Sequence, residues 1–85
     1  MEIKVGQVTH YFSKAEAAAI KMTDGELHTG DTIHIKGHTT DFEQEVSSIQ
    51  IENQPMEVVK AGDDIGIKVK EPVRKKDLVY KVTED

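Results

Sequence analysis

The chain reads TGDTIHIK at residues 29–36 and AGDDIGIK at residues 61–68, so that Gly62 repeats Gly30 after 32 positions. In each copy a Gly-Asp pair stands directly before an Ile-x-Ile alternation. Glycine can take the positive φ that closes a tight turn, and aspartate can accept hydrogen bonds from nearby backbone N–H groups. The phrase therefore reads as a corner leading into a β-strand. A phosphate loop would need several glycines and a following helix, or a Gly-Lys-Ser/Thr ending. A calcium loop would need carboxylates at alternate positions over about a dozen residues. Neither pattern is present. A third, degenerate echo is KKDLVYK at residues 75–81: Asp77 precedes an apolar run, and Lys81 takes the place of the second Ile.

Outward from these corners, apolar residues recur with period two. Ile33 and Ile35 alternate with His34 and Lys36, Ile49 and Ile51 with Gln50 and Glu52, and Ile65, Ile67 and Val69 with Gly66, Lys68 and Lys70. That is the pattern of half-buried strands. Ile3 and Val5 have one parity while Val8 and Phe12 have the other, and Gly6 at the change suits a β-bulge. KAEAAAIKM (14–22) contains good helix formers, but nine residues are too few for a helix without strong tertiary support. The segment runs into Asp24-Gly25, a strong hairpin signal, and is predicted as a strand whose alanines permit close packing. Turn residues return every ~8–12 positions, which predicts about six short strands in a small closed barrel. Closure would remove exposed edges.

Eighty-five residues form one domain, 1–85, with four aromatic residues of Phe and Tyr type and no Trp, so an aliphatic core is expected. There is no Cys, which excludes disulfides and thiolate metal sites and fits a reducing cytosol. No apolar run approaches the ~20 residues of a membrane span, and the N-terminus lacks an apolar targeting core. The expectation is a soluble cytoplasmic protein with no membrane partner. The net charge of −5 is unevenly spread: residues 23–57 hold one cation and eight anions, and residues 58–85 seven cations and six anions. The acidic total argues against strong nonspecific binding to nucleic acid, but leaves room for a local cationic patch.

Residues 25–70, GELHTGDTIHIKGHTTDFEQEVSSIQIENQPMEVVKAGDDIGIKVK, resemble the second domain of translational GTPases such as elongation factor Tu and initiation factor two. Gly25, Leu27, Gly30, Asp31, Ile33, Gly37, Ile49-Gln50, Gly62, Asp63 and Gly66 fill that domain's pattern. The resemblance extends weakly to both ends and implies a six-stranded barrel. Two stretches, VGQVTHYFSK (5–14) and IKGHTTDFEQEVSSIQIE (35–52), are also similar to the barrel at the C-terminus of collagenase-like peptidases, some of which take part in RNA modification. No G domain accompanies the barrel, so neither GTP binding nor GTP hydrolysis is implied. In elongation factors a pocket of this barrel holds the aminoacylated end of tRNA with a Glu that falls at Gln50 here, and a Gly-Arg pair that reads Ile20-Lys21. Gln50 retains the capacity to hydrogen-bond a ribose or base edge.

The chemistry on the chain favours binding over catalysis. His34, Lys36 and His38 share one outward face and suit a polar recognition patch. A metal pair is disfavoured, because His34 and His38 lie about 13 Å apart along an extended strand. Lys68, Lys70, Arg74, Lys75 and Lys76 gather charge around Pro72 and can meet phosphate or an anionic protein. Phe12 is expected in the core, and Tyr11 outward, free to stack a base. Ser13-Lys14 and Asp63-Asp64 are adjacent strand residues that face opposite ways, so neither makes a nucleophile or a carboxylate pair. A non-enzymatic binding module without cofactor or metal is expected, contacting tRNA, rRNA or a translation or RNA-modification protein. The alternative is a module that docks onto a separately encoded collagenase-like peptidase or RNA-modifying enzyme.

Overall fold

The computed structural model describes residues 1–83. Their regular structure is entirely β: β1 (Glu2–Phe12), β2 (Ala17–Met22), β3 (Glu26–His28), β4 (Thr32–Lys36), β5 (Asp41–Glu45), β6 (Ile49–Ile51), β7 (Gln54–Met56), β8 (Val58–Lys60), β9 (Asp64–Lys68) and β10 (Leu78–Val82). Eight strands form one sheet in the order β5-β4-β10-β1-β2-β9-β6-β7, and β3 pairs with β8 apart from it. Every pairing is antiparallel. The core is aliphatic, as the composition requires: Ile20, Leu27, Ile33, Ile35, Ile49, Ile67, Val5, Val8, Val46, Val59 and Val79 are all at most 1% exposed. The alanine-rich segment is β2, with Ala18 fully buried.

The repeated phrase builds one device three times. In each copy a backbone N–H closes a turn onto the carbonyl three residues earlier: Asp31 to His28 (3.1 Å), Asp63 to Lys60 (3.1 Å) and Asp77 to Arg74 (3.0 Å). The aspartate carboxylate then accepts from the N–H of that same earlier residue, at 2.8, 3.0 and 2.8 Å. The residue before each Asp has positive φ: Gly30 +94°, Gly62 +99° and Lys76 +79°. Each corner is also clasped to a distant chain segment by two backbone bonds. Gly30 donates to Val46 and Val46 to Asp31, both at 2.8 Å. Gly62 donates to Met22 (2.9 Å) and Met22 to Asp63 (2.8 Å), while Lys76 donates to Val8 and Val8 to Asp77, both at 2.8 Å. The clasped residues Val46, Met22 and Val8 are each 1% exposed, so the three corners seal the core at three places. The degenerate echo is a full structural repeat.

A side chain at Gly30 or Gly62 would meet no atom within 4 Å, so alanine there is opposed by the backbone conformation alone. Each single Gly→Ala change is expected to cost about 1–2 kcal/mol, read as a shift in urea midpoint at unchanged slope.

Three expectations of topology are corrected. The described residues form ten strands; β6 is the Ile49-Ile51 alternation, while the three-residue β3, β7 and β8 carry no alternation that marks them. The hydrogen-bonded ladder does not close among the described residues, because β6 takes the edge of β9 at Gly66 and Ile67. β5 reaches the far end of β9 only through a side chain: Gln44 donates to the Lys68 carbonyl (2.7 Å) and accepts from the Lys70 N–H (2.8 Å). Asp24-Gly25 does not join a hairpin either, since β3 pairs with β8 and not with β2. The bulge near Gly6 is present, as a register shift between Lys4 and Gly6.

A second bulge, between Val8 and His10, went unread. It inverts the parity beyond it. Phe12 is therefore 50% exposed, while Tyr11 turns in and packs against the core.

Candidate functional site

Strand direction sorts the charges. The pairings Phe12↔Ala17, Ala17↔Lys68, Lys36↔Asp41 and Leu78↔Lys36 bring the connections 12–17, 36–41 and 68–77 to one end of the sheet. Val69 donates to the Glu16 carbonyl (2.9 Å), tying two of these loops together. Seven of the eleven Lys and Arg residues lie on these loops and their flanking strand ends: Lys14, Lys36, Lys68, Lys70, Arg74, Lys75 and Lys76. All seven are exposed, and none enters an ion pair among the described residues. The opposite end carries Asp24, Glu26, Asp31, Asp63 and Asp64. Two of the lysines there are paired, Lys21 3.6 Å from Asp64 and Lys81 3.4 Å from Asp31, while Lys60 makes no ion pair among the described residues. The three cationic loops also hold Glu16, Asp41, Glu71 and Asp77, so the opposite end is acidic while theirs keeps a net positive balance of seven cations against four anions.

Most of the residues singled out from sequence meet at that end. Lys36, His38, Lys68, Lys70, Arg74, Lys75 and Lys76 lie there, with the Lys70 ammonium 5.9 Å from the Phe42 ring centre. Phe12 and His10 take the stacking position assigned to Tyr11; their rings meet edge to face at 4.5 Å. An exposed aromatic amid cations suits base stacking. Lys14 is an addition, missed because it was weighed only as a partner of Ser13. Lys21 is drawn to the acidic end, where it also donates to the Gly62 carbonyl (3.3 Å). Gln50 lies to the side, in a recess of about 160 Å³ shared with Ala17, Ser48, Gly66 and Lys68.

His34 does not join the recognition face as expected. Its ring is bracketed, with Nδ1 2.8 Å from Glu2 and Nε2 bonded to Asp41, and only 13% of the side chain is exposed. The Asp41 hydrogen bond raises the imidazole's pKa above its usual 6.5, burial opposes the rise, and Glu2 adds to it. The same bond holds the Asp41 carboxyl below its usual 3.8. Glu2, His34 and Glu43 each offer an atom within 4.8 Å of the others, a distance compatible with a metal ion. A metal needs a neutral imidazole with a free nitrogen. Here both nitrogens already face carboxylates, Glu2 at Nδ1 and Asp41 at Nε2, and the bond to Asp41 favours the protonated ring, so the geometry favours a clamp.

The clamp has a pH signature. His34 contributes stability that is full below its unfolded pKa of 6.5 and is lost as pH rises through the raised folded value. Asp41 contributes stability that is present above 3.8 and is lost as pH falls through its lowered value. Tm should therefore fall as pH rises from about 6.5 through the raised folded value, and His34→Gln should flatten that fall.

No protein-family model matches the chain. It is 37% identical over 84 residues to an uncharacterized protease of Methanocaldococcus jannaschii, the match covering 98% of this chain and 20% of that protein. It is 42% identical over 81 residues to a collagenase of Porphyromonas gingivalis, covering 94% and 20%. The chain therefore spans about a fifth of the length of the curated relatives it matches. Among solved structures, the C-terminal domain of a U32 peptidase-type protein of Geobacillus thermoleovorans superposes with a TM-score of 0.86 at 20% identity, over 93% of this chain and 91% of that one. The fold is shared with that domain. These findings support the resemblance to collagenase-like peptidases and not the one to translational GTPases.

Proposed function

We propose that this domain is a non-catalytic binding module whose cationic end grips single-stranded RNA. The observation that carries the reading is the gathering of seven lysines and arginines, unpaired among the described residues, beside the exposed ring of Phe12. Lysines that served only solubility would be spread over the surface, whereas seven of the eleven cations gather here, and of the other four Lys21 and Lys81 are tied to carboxylates. Anisotropy titrations with a fluorescent single-stranded RNA across about 50–200 mM salt test it. Each phosphate contact contributes a slope of about −0.7 in log K against log salt, so three to five contacts give about −2 to −3.5. Absence of binding at the lowest salt would sink the reading.

A second reading rests on the relatives being about five times longer than the chain. In it the domain docks against a protease-like catalytic body. The surface for that role is an apolar groove of about 370 Å³ lined by Ile51, Met56, Val58 and Val59, with Glu26, Lys60 and Asp63 at its rim. Val58→Asp should abolish docking onto such a partner while leaving RNA binding unchanged, which separates the two readings.

A further inference from the structure

Of the three equivalent corners, two place glycine at the position of positive φ, while the third places Lys76 there at +79°. The left-handed region is unfavourable for any side chain with a Cβ, and glycine is the residue the corner itself calls for. Lys76 returns nothing to the fold for this strain. Its side chain is exposed and makes no hydrogen bond or ion pair among the described residues. Its backbone N–H bond to Val8 would be made equally by glycine, as Gly30 and Gly62 make theirs. Glu16, Glu52 and Asn53 also hold positive φ, but none stands in a corner whose two equivalents use glycine; strain of this kind clusters at ligand-binding sites.

The rest of the corner points the same way. His28-Thr29-Gly30 and Lys60-Ala61-Gly62 have become Arg74-Lys75-Lys76, three consecutive cations. The buried Asp77 carboxyl accepts from the Arg74 N–H at 2.8 Å, fixing the turn that presents them. The corner is also clasped to Val8, two residues before the aromatic tip begins at His10. A rigid turn with three outward cations, clasped to the strand that leads about 13 Å further to the exposed Phe12, has the chemistry to hold a phosphodiester of a strand whose bases stack further along.

We infer that the third corner is a phosphate-binding turn and that Lys76 is its principal contact, retained in a strained conformation for that purpose. This rests on the RNA-binding reading and names the residue through which it acts. Lys76→Gly is the decisive variant, because fold and function should respond in opposite directions. Its Tm should rise by about 4–8 °C, a shift typical of small stabilisations in domains of this size. Its affinity for single-stranded RNA should fall about five-fold at 0.1 M salt, with the salt slope less steep by about 0.7, the value of one lost phosphate. Lys76→Arg should retain the affinity. Binding of RNA by Lys76→Gly at wild-type affinity and slope would overturn the inference and leave the RNA reading standing. Failure of the wild-type chain to bind RNA at all would overturn both.

Discussion

Replacing Gly37 by alanine is expected to destabilise the domain by about 3 kcal/mol, lowering Tm by roughly 12–24 °C. A Cβ at residue 37 would overlap the Oδ1 of Asp77. That oxygen belongs to a side chain, and exposed side chains usually yield at little cost. This one is not free to yield: Asp77 is only 4% exposed, and its other oxygen holds the Arg74 N–H at 2.8 Å. Moving the carboxyl aside leaves a buried polar group unpaired and undoes the corner clasped to Val8. A double-mutant cycle identifies the cause. If Gly37→Ala acts through Asp77, adding it to Asp77→Ala should cost little more than Asp77→Ala alone. Additive effects, or a single-mutant cost under about 0.5 kcal/mol, would contradict the assignment.

The second large effect concerns binding. Reversing one charge on each of the three converging loops, with Lys14→Glu, Lys36→Glu and Lys75→Glu together, is expected to weaken single-stranded RNA binding on the order of 100-fold at 0.1 M salt. A slope of about 0.7 per phosphate makes each contact worth about five-fold at that concentration, and three multiply to this figure. All three side chains are exposed and unpaired among the described residues, so stability should stay within about 0.5 kcal/mol. Lys4 and Lys60 lie outside the three loops, and their reversal serves as the control. Equal losses from both sets would mean that net charge, and not its placement, governs binding.

Much of this was legible in the sequence because it was written as a repeat. Gly30-Asp31 and Gly62-Asp63 announced two corners, and Asp77 hinted at the third. What the sequence withheld was that Lys76 keeps the positive φ of Gly30 and Gly62, since a lysine at that place gives no sign of it. Period two located β4, β6 and β9, and the echo at Asp77 pointed to β10, but β3, β7 and β8 are three residues long and carry no alternation of their own, which is why they were lost. The bulge between Val8 and His10 carries no glycine to betray it, so Tyr11 and Phe12 were assigned to each other's faces. The cationic end was half visible in residues 68–76. Lys36 and Lys14 join it only through strand register, which brings together residues more than thirty positions apart. His34 looked like part of a recognition face because nothing local shows that Glu2, 32 positions away, would cap its ring.

The polarised surface can be tested on the molecule directly. Backbone amide shifts of the isotope-labelled domain, followed by NMR during titration with a short single-stranded RNA, report which end is touched. The expected result is a set of perturbations confined to residues 10–17, 36–41 and 68–77. Perturbations centred on Ile51, Met56 and Val58, or on the acidic corners at Asp31 and Asp63, would contradict it.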